Sequence, residues 1–179
     1  FTLVYDSLLE LYRTNPVPDE LGKYYESETY ISHTDSRKTL FDRLYQWVKS
    51  YNLKHKIALI KQYKKENMQL LDIGAGTGDF VLSSKKYAHW EAIGIEPSEK
   101  ARTKAEEKGL LLQANFDQLL PHSFDVITMW HVLEHVPDVA QEIQIISNLL
   151  KENGIAVIAV PNYRSWDAQH YKEHWAAYD

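Results

Sequence analysis

From residue 68 onward the apolar positions come in short continuous runs, separated by stretches with helical spacing, which is the pattern of βα units feeding a parallel sheet. The runs cover residues 69–73, 91–95, 110–114, 124–130 and 155–160. They are apolar on successive residues instead of alternating, as expected for strands covered by helices on both faces. Pro97 and Pro137 stand where a first helical turn tolerates a missing N–H. Gly109 and Gly154 follow the last periodic residues, where a left-handed cap is expected.

Before residue 68 the pattern is helical. Residues 37–51 (RKTLFDRLYQWVKSY) and 54–65 (KHKIALIKQYKK) place apolar side chains at helical spacing, which predicts two amphipathic helices. Residues 14–36 carry prolines, a glycine and many hydroxyl and acidic side chains, so they read as a loop or partly ordered arm. The expected organisation is an N-terminal arm and helical cap over 1–66 and a core over 67–179.

Composition narrows the class. With 179 residues, 44% hydrophobic and 25% charged, the chain suits one globular domain with a helical extension. No apolar run approaches the roughly 20 residues of a membrane-spanning helix, and FTLVYDSLLE lacks the basic-then-apolar order of a signal peptide. A soluble, cytoplasmic protein without membrane association is the expectation. The absence of cysteine rules out disulfides and thiolate metal sites. A net charge of -5 makes nucleic acid a disfavoured partner.

The candidate chemistry begins at LLDIGAGTGDF, residues 70–80. Gly74, Gly76 and Gly78 follow an apolar strand at alternate positions and allow a sharp turn with a ligand against the backbone. In a dinucleotide fingerprint the third glycine comes one place later. Here Asp79 follows, where a carboxylate opposes a pyrophosphate, and no Gly-Lys-Ser/Thr marks a P-loop. Asp72 and Asp79 would instead attract the sulfonium and ammonium of S-adenosylmethionine. Glu96 ends the next strand in IGIEPS, the place where an acidic side chain accepts hydrogen bonds from ribose hydroxyls. Its alternative role is to cap the following helix.

The segments LLDIGAGTGDF, IGIEPS, FDVITMWHVLEHVPD and GIAVIAVPN resemble the successive motifs of class I S-adenosylmethionine-dependent methyltransferases, over roughly residues 68–162. The resemblance implies an α/β fold: a Rossmann-like doubly wound parallel sheet with the predicted strands in the order 3-2-1-4-5 and no counterpart of the family's strands 6 and 7. It implies that Asp72, Gly74, Ala75, Gly76 and Gly78 surround the methionine part of the cofactor. By the same likeness Glu96 and Pro97 lie at the ribose, Asn115 and Phe116 flank the adenine, and Trp130 and His131 lie beside the methyl group. The family often has an acidic residue where Asn115 stands; a neutral amide can still face an adenine amino group.

His131, Glu134 and His135 are spaced to share one face if HVLEH is helical. Three readings compete there: local structural hydrogen bonding, acid–base chemistry by an imidazole, and a divalent metal. The segment resembles the Glu-x-x-Glu-His group of ubiquinone-pathway and small-RNA methyltransferases, but His131 replaces the first glutamate and weakens a hard-cation site. No metal is assigned, and His131, Glu134 and His135 stand as the catalytic candidates.

Lys54, Lys56, Lys61, Lys64 and Lys65 form either a basic patch for RNA or a solvated helix face. Tyr24, Tyr25, Tyr30, His33 and Trp47 form either an aromatic lid or packing for the arm. The function expected is methyl transfer from S-adenosylmethionine to a small molecule, foremost at oxygen. The alternatives are an RNA methyltransferase and a non-catalytic cofactor-binding module. Because two strands of the resembled fold have no counterpart, the chain reads as a fragment. The fifth run would then be a sheet edge, paired with another copy or covered by Trp166, Tyr171 and Trp175.

Overall fold

The computed structural model describes residues 2–16, 40–63 and 67–178. Strands β1 (Thr2–Asp6) and β2 (Leu11–Asn15) form an antiparallel hairpin, followed by helix α1 (Leu40–Lys61). Then come β3 (Gln69–Ile73), α2 (Asp79–Ala88), β4 (Glu91–Ile95), α3 (Glu99–Glu107) and β5 (Phe124–Trp130). After a 3-10 turn at Leu133–His135 the chain continues through α4 (Val139–Leu149), β6 (Leu150–Ala159) and α5 (Trp166–Tyr171). The central sheet is parallel with the order β4-β3-β5-β6.

Successive residues of the inner strands enter different cores. Leu70 and Val126 face one cluster, with Ile57 and Ile60 of α1, Phe80 and Val81 of α2 and Ala105 of α3. Leu71, Ile73, Ile127 and Met129 face the other, with Ile146 and Leu149 of α4. This two-sided burial is what the continuous apolar runs require, and each fully buried aliphatic side chain is worth about 1.5–3 kcal/mol. Helix α1 therefore shares its core with the sheet.

Four of the five expected strands form. The run 110–114 does not: it makes a single parallel bridge, Ile95 to Gln113, at the outer edge of β4. Leu110 is buried while Leu111 is 81% exposed, so the segment has a core on one side and solvent on the other. The two helices expected over 37–51 and 54–65 are one helix, because no glycine or proline interrupts residues 50–54 and Asn52 costs little at an exposed helical position.

The helix starts also fall later than the prolines suggest. Ser98 caps α3 by accepting the Ala101 N–H, and Asp138 caps α4 by accepting the Gln141 N–H, leaving Pro97 and Pro137 just outside. Gly109 adopts the left-handed conformation, whereas in the 151–154 bulge Asn153 does so in place of Gly154.

The hairpin has no forerunner in the sequence reading, and it takes in Thr14 and Asn15 of the expected arm. Asp6 shapes its turn by accepting the N–H groups of Leu8 and Leu9 and pairing with Arg13. Its tyrosines Tyr5 and Tyr12 pack against Tyr163 beyond β6, and Arg164 pairs with Glu10. Among the described residues β6 pairs only with β5. Trp166 and Tyr171 remain 68% and 52% exposed, around His170. Among the described residues no helix is long and apolar enough to cross a membrane.

Candidate cofactor site

The glycine loop leaves the C-terminal end of β3, beside the point where the sheet order reverses, the usual ligand crevice of open α/β sheets. Three contacts set its shape. The Ala75 N–H donates to the Ile95 carbonyl at 2.9 Å, the Gly78 N–H to the Ala75 carbonyl at 2.9 Å, and the Gly76 N–H to Glu96 Oε2 at 2.8 Å. Gly76 is left-handed, with φ 55°, and a Cβ added there would meet no atom within 4 Å. That open side is the space a ligand lying on the backbone needs.

Of the two roles foreseen for Glu96, the structure shows the one at the start of the next helix. Its Oε1 accepts the Ser98 N–H at 2.9 Å, so one carboxylate joins the glycine loop to the start of α3. Pro97 is exposed beside it, and Arg102 donates to the carbonyls of Glu96 and Pro97. The Glu96 N–H donates to the Gln113 carbonyl, which brings Asn115 and Phe116 to this end of the sheet. Asn115 is exposed and accepts the Asp117 N–H, while Phe116 packs partly buried against the α4-side core.

Asp72 lies in β3 between Gly94 and Thr128, 3% exposed. Thr128 Oγ1 donates to its Oδ1 at 2.6 Å. Burial pushes the carboxyl up to about 7, against the Thr128 hydrogen bond and the Lys56 charge, which pull it down. Lys56 is one of the lysines read from the sequence as either a basic patch or a solvated helix face. It is half-buried, with its ammonium 4.3 Å from the centre of the Trp130 ring and 5.9 Å from that of Phe80. Desolvation lowers its pKa against the opposing pull of Asp72.

Asp79 corrects the charge argument. Its carboxylate pairs with Lys49 at 2.7 Å and Lys108 at 3.1 Å and accepts from Thr77 Oγ1 at 2.8 Å. Burial alone would raise its pKa, but the bonds from Lys49 and Thr77 and the two lysine charges hold it below the ordinary value. Asp79 thus fastens α1 and the end of α3 to the loop. Its charge is balanced by the two lysines, so the sequence argument that it stands free beside a ligand does not hold. The glycine spacing and Asp72 are what remains of that argument.

Beyond β5 the chain turns sharply. Trp130 stands edge-on to Phe80 at 5.6 Å, and His131 is left-handed at φ 59° with its N–H on the Ala159 carbonyl. HVLEH forms no α-helix, only the turn at Leu133–His135, so the expected shared helical face is replaced by one pair. The His131 Nδ1 lies 3.5 Å from Glu134 Oε1, with the imidazole 63% exposed. His135 is exposed and its N–H closes the turn on Val132. Of the lid candidates, Trp47 stacks on Tyr51 and is 66% exposed. Tyr24, Tyr25, Tyr30 and His33, and Lys64 and Lys65 of the basic group, lie outside the described residues.

Thr128, Lys49, Lys56 and Lys108 were missed. Lys49 and Lys56 carry a readable signal: they share the helical stripe of Leu53, Ile57 and Ile60, where a solvated lysine does not belong.

A parallel sheet whose central strand ends in this glycine loop, with an acidic side chain closing the neighbouring strand, defines a Rossmann-like binding domain. A methyltransferase domain family matches residues 42–179, and the chain belongs to that family, within the class I S-adenosylmethionine-dependent methyltransferase superfamily. The ubiquinone biosynthesis O-methyltransferase of Colwellia psychrerythraea is 35% identical over 107 residues, 54% of this chain and 43% of that protein. The chain spans less than half the length of the curated relatives it matches. A SAM dependent methyltransferase of Archaeoglobus fulgidus shares the fold, with TM-score 0.54 and 22% identity over 65% of this chain and 55% of that one. An N-methyltransferase of Haemonchus contortus, whose structure holds S-adenosylhomocysteine, gives TM-score 0.55 and 19% identity over 68% and 32%.

Proposed function

We propose that the chain binds S-adenosylmethionine across the C-terminal ends of β3 and β4 and directs its methyl group to an oxygen of a small molecule. The observation that carries this reading is the junction of Gly76 and Glu96. A left-handed glycine with an open Cβ side sits against a carboxylate at the ribose-binding end of the next strand. The bound cofactor would supply an electrophilic methyl on a sulfonium. Glu96 would hold the ribose hydroxyls, Asp72 the cationic part, and Asn115 and Phe116 the adenine side.

His131, with Glu134 beside it, would take the proton of an acceptor hydroxyl, and alignment of donor and acceptor, which can be worth ~7–11 kcal/mol of barrier, would come from the sheet. The choice of oxygen rests on the likeness to O-methyltransferases. A small-molecule acceptor rests on the same likeness, and exclusion of nucleic acid on the net charge of -5. A cytoplasmic location belongs to this reading, as does pairing of copies through the β6 edge. Incubation with methyl-labelled S-adenosylmethionine and a metabolite extract tests the function: label in a small organic acceptor supports it, and label only in RNA, or nowhere despite cofactor binding, overturns it.

A further inference from the structure

Helix α1 sends two lysines, Lys49 and Lys56, toward the glycine loop, and they end in different surroundings. Lys49 meets Asp79 directly at 2.7 Å, in a cluster that Lys108 completes. Lys56 instead lies with its ammonium over the face of Trp130 and within the field of buried Asp72. An ammonium held over an aromatic face, with a buried carboxyl near enough to act on its charge, marks a cation site. Of the two aspartates, Asp79 holds Lys49 and Lys108, and Asp72, in β3, lies in the field of Lys56. The site is also where a positively charged ligand fits on the reading above, on which this inference rests.

We propose that Lys56 is a resident counter-cation of the cofactor pocket: its ammonium contests the Trp130 face and the Asp72 carboxylate with the sulfonium of the methyl donor, and so sets the relative affinity for donor and product. The chemistry of that discrimination is charge alone. Donor and product share the adenosine and the amino acid, and differ by one methyl and one positive charge. Lys56 must move aside from the charged donor. After transfer the sulfur is a neutral thioether, and Lys56 returns to the Trp130 face without opposition. Lys56 thereby disfavours the donor relative to the product, and couples the seating of α1 to the charge in the pocket.

The test is calorimetric binding of S-adenosylmethionine and S-adenosylhomocysteine to the wild-type chain, Lys56→Gln and Lys56→Arg. Lys56→Gln is expected to shift the affinity ratio toward the donor by roughly tenfold, the size of one nearby charge pair in a partly screened site. Lys56→Arg, which keeps the charge, is expected to hold the wild-type ratio. A purely structural lysine would move both affinities together. An unchanged ratio in Lys56→Gln, with both ligands bound, overturns this inference and leaves the cofactor reading standing. Failure of the wild-type chain to bind either ligand overturns both.

Discussion

The loop after β3 and the loop after β5 leave neighbouring strands at the same end of the sheet, yet they are held in different ways. The first is fixed by backbone hydrogen bonds to β4, by Glu96 and by the Lys49–Asp79–Lys108 cluster. The second is a left-handed turn and a single 3-10 turn whose functional candidates face solvent. The contrast teaches a division of labour. On the proposed function, the part that would meet the cofactor is tied to the sheet, and the part that would meet the acceptor rides on a loop.

The strongest way to break this contrast is Gly76→Val. A β-branched side chain is strained at φ 55° and fills the space over the loop, so cofactor binding should vanish in calorimetry while the sheet still folds. Normal affinity would mean that the ligand lies elsewhere. His131→Ala sharpens the contrast from the other side: turnover should fall by roughly 10²-fold while cofactor affinity stays level. A matched loss in both would make His131 part of the cofactor site, and normal turnover would end its acid–base role.

Glu96→Ala should weaken the cofactor by ~1.5–3 kcal/mol, the range for hydrogen bonds to a charged group. Unchanged affinity would leave Glu96 as a tie between Gly76 and Ser98. The last effect expected is a slope, read in stability and not in binding. Asp72 has a folded pKa of about 7, above the ordinary carboxyl value of about 4. Its contribution to stability is therefore complete below about pH 4 and is lost as pH rises through about 7. Denaturant melts across that window should show the loss in the wild-type chain and a flatter profile in Asp72→Asn; identical profiles would count against a titrating Asp72.

Much of this arrangement is legible in the sequence. Four strands follow from continuous apolar runs, because two-sided burial leaves no room for polar residues at alternate positions. The glycine loop and Glu96 follow from local spacing. The run 110–114 misled because a strand needs a partner as well as apolar residues, and Leu111 and Ala114 face solvent. Asp79 misled because its meaning depends on Lys49 and Lys108, 30 and 29 residues away in the chain. The hairpin of β1 and β2 was missed because its tyrosines pack on Tyr163, a contact with no local signature. HVLEH looked helical from its i, i+3, i+4 spacing, but the left-handed turn at His131 comes from where β5 ends, not from helical periodicity.

That turn also carries a backbone cost. A left-handed backbone costs a residue with a side chain about 1 kcal/mol or more, and glycine almost nothing. Glycine at residue 131 would relieve that cost while removing the ring, whereas alanine removes the ring and keeps the cost. The pair of substitutions therefore separates what the backbone of this turn takes from stability from what the imidazole contributes to turnover.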